Sequence, residues 1–354
     1  MSVVFAADPH PRRLRGFTLI ELLVSVAILA LLLLIIASII DATRKTWGYA
    51  SGRIEEFRGA REAFESITSK LSQATLNPYW DYDNPNNPTT YSRQSELRFL
   101  SGPASSILSN PDAKTHGVFF TAPLGNVNDT NYSDLGTLLN TCGFFLEFGS
   151  DKDWRPGFVN QGANPPRERY RSRLMELVGP AESFSLYDEA QKSSGGNAGY
   201  NGVSWFKSAV DGTSPYTAST RPVRVLAENV VALILLPKLS SQEDTTGTKL
   251  APTYLYDSTV GKSDPTINSK NQLPPVVQVT MVAVDETSFN RLQTGDSPPN
   301  MGPIYAGCEF SNANMYDRDL KQLESNLKSL NLSYRIFTMN VALKAAKWSR
   351  EQSN

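Results

Sequence analysis

From Phe17 to Ile40 the chain is continuously apolar except for one charge, Glu21. These 24 residues, at about 1.5 Å each, make a helix of roughly 36 Å, enough to cross a hydrocarbon core of about 30 Å with some tilt. The spacing then changes. Trp47, Ala50, Ile54, Phe57, Ala60, Phe64, Ile67, Leu71 and Ala74 recur at steps of three and four, which predicts an amphipathic continuation of the same helix. Asn77-Pro78 should end it, because the residue before a proline is pushed out of the α region. An unbroken helix from Phe17 to Leu76 would be about 90 Å long, with Gly48, Gly52 and Gly59 as candidate bends.

After Pro78 the pattern turns to short apolar or alternating runs separated by Asn, Pro, Gly and Ser. Strands are expected at Ser95 to Leu100, Gly117 to Thr121, Cys142 to Phe148, Ser183 to Tyr187, Val230 to Leu236, Val276 to Val284 and Tyr334 to Leu343. Val230 to Leu236 is apolar throughout and reads as a central strand, whereas Phe337, Met339, Val341 and Leu343 alternate onto one face. Leu320, Leu323, Leu327 and Leu330 mark a short helix over 318–330. Stretches 81–90, 189–202 and 258–275 read as loops. The expected class is α+β: a long N-terminal helix, membrane-spanning in its first half and amphipathic in its second, packed on a mainly antiparallel β-sheet head with long loops.

Charge and composition narrow the function. The 34 Lys+Arg nearly balance 35 Asp+Glu, for a net charge of -1, so the whole chain offers no global attraction to nucleic acid. Two cysteines, Cys142 and Cys308, exclude a multi-disulfide scaffold and any all-cysteine metal centre. With only His10 and His116, histidine-rich catalytic zinc sites are also excluded. No cofactor or metal is expected, and an exported enzyme built on paired carboxylates is the weakest alternative.

Arg12, Arg13 and Arg15 precede the apolar run and place the N-terminus in the cytoplasm by the positive-inside rule, with the remainder exported. Between the basic residues and the run stands Gly16-Phe17-Thr18-Leu19-Ile20-Glu21. This order resembles the type III signal of type IV prepilins and type II secretion pseudopilins, with glycine and phenylalanine at the junction and a glutamate four residues further on. The resemblance implies cleavage by a prepilin peptidase between Gly16 and Phe17 and N-methylation of Phe17. It also implies assembly with other pilin or pseudopilin subunits through the helix, in which Thr18 and Glu21 take part. Glu21 in an apolar helix is costly, by about 2.5–3.5 kcal/mol for a charge at the bilayer centre and less near an edge. In the resembled family the freed amine of a neighbouring subunit compensates it; a plainer reading puts Glu21 at headgroup depth beside Arg15.

The expected organisation is a leader at 1–16, a transmembrane and polymerisation helix at 17–41, an amphipathic extension at 42–77 and an exported head at 78–354. The chain would span the inner membrane before assembly, with its head in the periplasm or at the cell surface. The late strands are similar in pattern to the C-terminal region of larger minor pseudopilins and to the Verru_Chthon cassette protein C family.

Several constellations in the head admit a functional and a plainer reading. Arg167, Arg169, Arg171 and Arg173 alternate and on a strand would share a face. They would be either an anion-binding stripe for DNA or acidic polysaccharide, or the charged guard of an edge strand. Tyr79, Trp80, Tyr82 and Tyr91 would form either a sugar-stacking surface or a cover for the seam between helix and sheet. Glu147, Asp151 and Asp153 would be calcium ligands or a solvated loop. Cys142 and Cys308 would be a disulfide or two buried thiols. His116 reads as a strand-end histidine. A filament-tip binding module for polysaccharide or DNA is therefore the second functional expectation.

Overall fold

The computed structural model describes residues 18–82, 84, 86–108, 113–161, 165–186, 202–217, 219–261 and 267–349, with backbone alone at 42, 45–56, 113 and 153. The chain divides into two compact units, 1–55 and 56–354. The first is carried by helix α1 (Leu19–Glu56). Its segment Leu19–Asp41 is long and apolar enough to cross a membrane, and every described side chain from Thr18 to Asp41 is exposed. Trp47, Ala50 and Ile54 fall among the residues described by backbone alone.

The helix is not continuous. Phe57, at φ -95° and ψ 1°, interrupts it, and α2 (Arg58–Leu71) starts afresh. Phe57 buries its ring, and the first turn of α2 holds Gly59, a weak helix former. Within α2 the apolar period holds: Ala60, Ala63, Phe64, Ile67 and Leu71 are buried. The helix ends at Leu71 rather than at Leu76, because Thr75 donates its backbone N–H to Thr121 O at 2.8 Å and joins a strand instead.

Among the described residues the head contains three sheets, with all their pairings antiparallel. β1 (Tyr79–Tyr82) and β2 (Tyr91–Gln94) form a separate hairpin. The largest sheet uses β3 (Leu100–Pro103), β4 (Ala113–Pro123), β5 (Leu139–Ser150), β6 (Tyr170–Val178), β7 (Val223–Glu228) and β9 (Tyr256–Asp257), in the order β7-β6-β5-β4-β3-β9. The third contains β8 (Val230–Lys238), β10 (Val276–Val284) and β11 (Tyr334–Ala342), in the order β11-β10-β8. Helices α3 (Ser204–Asp211), α4 (Glu286–Leu292) and α5 (Tyr316–Ser329) pack around them.

One residue, Asn229 at φ 59°, separates β7 from β8 and carries the chain from one sheet into the other. Asparagine tolerates this left-handed backbone better than most residues. β8 was expected at the centre of a sheet, yet among the described residues it pairs only with β10 and lies at a border. Its continuous burial comes instead from packing against β4, β5 and β6. A bulge in β4 between Lys114 and Val118 closes that border. Leu233 N donates to Thr115 Oγ1 at 3.0 Å, Leu235 N to His116 Nδ1 at 3.0 Å, and Tyr305 OH to Val231 O at 2.7 Å.

Two expected strands differ. Over 95–99 there is no strand; the Ser95 hydroxyl accepts locally from Leu97 N at 3.1 Å and donates to Leu76 O in the segment that follows α2. Ala181–Ser183 is a single 3₁₀ turn after Pro180, and residues 184–186 form no strand. The remainder of that expected strand, Tyr187, and most of the 189–202 loop lie outside the described residues.

Candidate functional site

The helix start is built by reciprocal hydrogen bonds. Thr18 precedes the first helical residue, and its N and Oγ1 each donate to Glu21 Oε2 at 2.9 Å, while Glu21 N donates to Thr18 Oγ1 at 3.3 Å. This is a capping box, which satisfies backbone donors that the first turn leaves without intrahelical partners. The Thr-x-x-Glu spacing alone signals it. The arrangement fixes the Glu21 carboxylate at the helix N-terminus, next in sequence to the Gly16-Phe17 junction. Gly16, Phe17, Arg12, Arg13 and Arg15 lie outside the described residues.

In the head, the arginine series divides. Arg171 and Arg173 are 2% and 0% exposed and belong to β6, an interior strand between β5 and β7. Arg171 pairs with Glu286 at 2.8 Å, and Arg173 lies 3.6 Å from Glu228 while donating to Gly149 O and Ser150 O at 3.1 and 3.2 Å. Arg167 and Arg169 precede the strand and pair with Asp296 at 3.1 Å and Glu286 at 3.8 Å. The four do not form one open cationic face, and neither the anion-binding stripe nor the guarded edge describes them. Their carboxylate partners lie more than 50 residues away in sequence, which is why alternation alone suggested exposure.

The acidic trio is likewise engaged. Glu147 lies 3.8 Å from Arg221, and Asp151 pairs with Arg155 and accepts from Arg169 N at 2.8 Å. The Asp153 side chain lies outside the description. Among the described residues no group of three or more His, Cys, Asp or Glu is placed to hold a metal ion.

Cys142 and Cys308 are free and buried separately, so the disulfide alternative is corrected to two thiols. Cys142 sits in β5, and Cys308 follows a turn closed by its own N–H to Tyr305 O at 3.1 Å. Burial pushes the Cys142 thiol up to about 12 and that of Cys308 up to about 11, which keeps both protonated and unreactive.

His116 is 1% exposed and works as a structural bridge. Its Nδ1 accepts from Leu235, so the proton is on Nε2, which donates to Phe310 O at 2.9 Å. No pairing of residues in the sequence signals two further features. Glu176 is fully buried in β6 and receives Lys70 of α2 together with Arg224 of β7, whose Nε donates to Glu176 Oε2 at 2.6 Å. This binds α2 to the large sheet. An open cleft lined by Lys70, Asn126, Asn128, Arg221 and Arg224 lies over it, with its cations already directed to Glu176 and Glu147.

The aromatic group does not cover a seam. Tyr79, Trp80, Tyr82 and Tyr91 are 38%, 50%, 42% and 49% exposed on the β1–β2 hairpin. Its short strands pair with each other and leave the rings to solvent.

The comparisons with known proteins bear on the N-terminus. No curated protein and no solved structure matches the chain. Residues 11–37 match the prokaryotic N-terminal methylation motif, consistent with a prepilin-type signal. The match supports a precursor of the type IV pilin or pseudopilin kind, and the one helix among the described residues that is long and apolar enough to cross a membrane fits a signal-anchored membrane protein.

Proposed function

We propose that this chain is a prepilin-like subunit, processed by a prepilin peptidase between Gly16 and Phe17, methylated at Phe17 and assembled through α1 into a type IV pilus or secretion-type filament. The observation that carries the reading is the coincidence of the methylation motif at 11–37 with an apolar helix over Leu19–Asp41. Before assembly the helix would hold the protein in the inner membrane, with the head outside the cytoplasm. The size of the head, residues 78–354, suits a minor subunit better than one packed throughout a filament.

Glu21 has two roles in this scheme. It completes the capping box with Thr18, and its charge would pair with the freed amine of a neighbouring Phe17. The two are separable, because glutamine also closes a capping box but carries no charge. Glu21→Gln should therefore leave α1 folded and membrane-inserted while filament yield falls sharply. Unchanged yield would refute the charge pairing. Processing has its own test: mass spectrometry should find N-methylated Phe17 in the mature protein and an attached leader after Gly16→Leu. A mature chain beginning at Met1 would overturn the proposal.

The binding-module reading has lost the arginine stripe as its basis, since those side chains pair internally. The exposed hairpin is a separate matter.

A further inference from the structure

The register of the hairpin sets Trp80 opposite Arg93 and Tyr82 opposite Tyr91. Cross-strand partners share a face, as do residues two apart on one strand, so these four side chains line one side of the hairpin. The Tyr82 and Tyr91 rings stand 4.5 Å apart, and the Arg93 guanidinium lies 5.3 Å from the Trp80 ring centre. Large aromatic side chains normally bury most of their area; here three remain about half exposed in one strip.

Two further observations point to a ligand. Arg93 is only 8% exposed, yet its Nη1 has no hydrogen-bond partner among the described residues, an arrangement native proteins rarely leave unexplained. The strip is also held firmly from beneath. Asn271 Nδ2 donates to Arg93 O at 2.6 Å, and Tyr79 OH donates to Glu96 Oε1 at 2.6 Å. A two-stranded hairpin is marginal by itself, so these ties keep the rings in place without covering them.

The polar surroundings identify the ligand class. Among the described residues of 79–96 Arg93 is the one cation; Asp81 alternates onto the opposite face, Glu96 accepts from Tyr79, and Asn84, Asn86 and Asn87 are exposed in the connecting loop. With Arg93 as its one cation and that side chain 8% exposed, the strip is unsuited to a polyphosphate, whose binding depends on Lys and Arg. Carboxylates and amides instead accept from and donate to hydroxyl groups, while ring faces match the apolar C–H faces of pyranoses. We propose that the β1–β2 hairpin is a docking ledge for a neutral polysaccharide, whose sugar rings stack on Trp80, Tyr82 and Tyr91 along the face that Arg93 underlies.

The test uses the full-length protein in detergent micelles, applied to immobilised cellulose, β-1,3-glucan, xylan, mannan, dextran and chitin. Alginate and a thymidine oligonucleotide serve as polyanionic competitors. At least one neutral polymer should retain the protein. Trp80→Ala and Tyr91→Ala should each weaken retention by about ten-fold, Trp80→Phe should restore most of it, and all three should keep the wild-type circular dichroism spectrum. Retention on none of the neutral polymers would overturn the proposal, as would equal retention of the alanine variants or displacement by the oligonucleotide. Binding is read on unassembled protein, so its outcome is independent of whether the chain enters a filament.

Discussion

Acid should loosen the head through one imidazole. His116 accepts from Leu235 N–H through Nδ1 and donates to Phe310 O through Nε2, with its ring 4.6 Å from that of Tyr254. A second proton would have to enter at Nδ1, against an N–H donor and inside the core. Burial accordingly pushes the pKa of His116 down to about 4 from the ordinary 6.5. Above pH 6.5 the imidazole is neutral in both folded and unfolded chains, and the full stability is present. Between pH 6.5 and about 4 the unfolded chain takes up the proton and the folded one does not, so stability falls with pH; below about 4 both are protonated and no further loss accrues. At 1.36 kcal/mol per unit of difference the loss amounts to about 3 kcal/mol. Urea unfolding of wild type and His116→Gln, followed by tryptophan fluorescence from pH 7.5 to 4.5, isolates this contribution, because carboxylate titrations are common to both. The variant should be the less stable at pH 7.5 by about 1–3 kcal/mol for its disturbed hydrogen bonds, and the gap should close or reverse by pH 4.5. A gap that stays constant across this range, or an imidazole titrating near 6.5 in the folded protein, would refute the reasoning.

Other outcomes follow from the packing. A Cβ built on Gly143 would stand 2.4 Å from the Phe119 ring, which itself stacks on Phe206 at 3.9 Å; Gly143→Ala should therefore cost about 1–3 kcal/mol by overpacking, seen as a lowered Tm, and an unchanged Tm would contradict the contact. Glu176→Gln should destabilise by about 3 kcal/mol in chemical denaturation, because Lys70 loses its buried counter-charge, whereas Arg224→Gln, altering a largely exposed partner, should cost under about 1 kcal/mol. Neither cysteine should react with a thiol reagent in the native protein at pH 8, and both should react in urea; rapid native labelling would contradict their burial.

The N-terminal helix was legible because its signal is local: an apolar run with one acid, and a three–four period that α2 keeps through Ala60, Phe64, Ile67 and Leu71. Strands built of consecutive or alternating apolar residues were legible for the same reason, and β10 runs over Val276–Val284, the bounds expected from its apolar run. What escaped depends on distant partners. Arg171 and Arg173 look solvent-facing until Glu286 and Glu228 arrive from other elements. β8 looks central because it is buried, but burial by neighbouring strands and hydrogen bonding within a sheet are different things, and only the second orders strands. The aromatic quartet read as a seam cover because four rings close together usually seek shelter; the pairing of Trp80 with Arg93 and of Tyr82 with Tyr91 leaves them in water. At the helix start, Thr18 and Glu21 were legible only as part of the signal; their mutual capping came with the structure, although the Thr-x-x-Glu spacing carries it.

The bulge in β4 has a consequence for how these heads meet one another. By lending Thr115 and His116 to the amides of Leu233 and Leu235, it occupies two of the backbone donors on that flank of β8. Amides bound in this way, on a strand covered by its neighbours, are withheld from backbone pairing with any other extended segment.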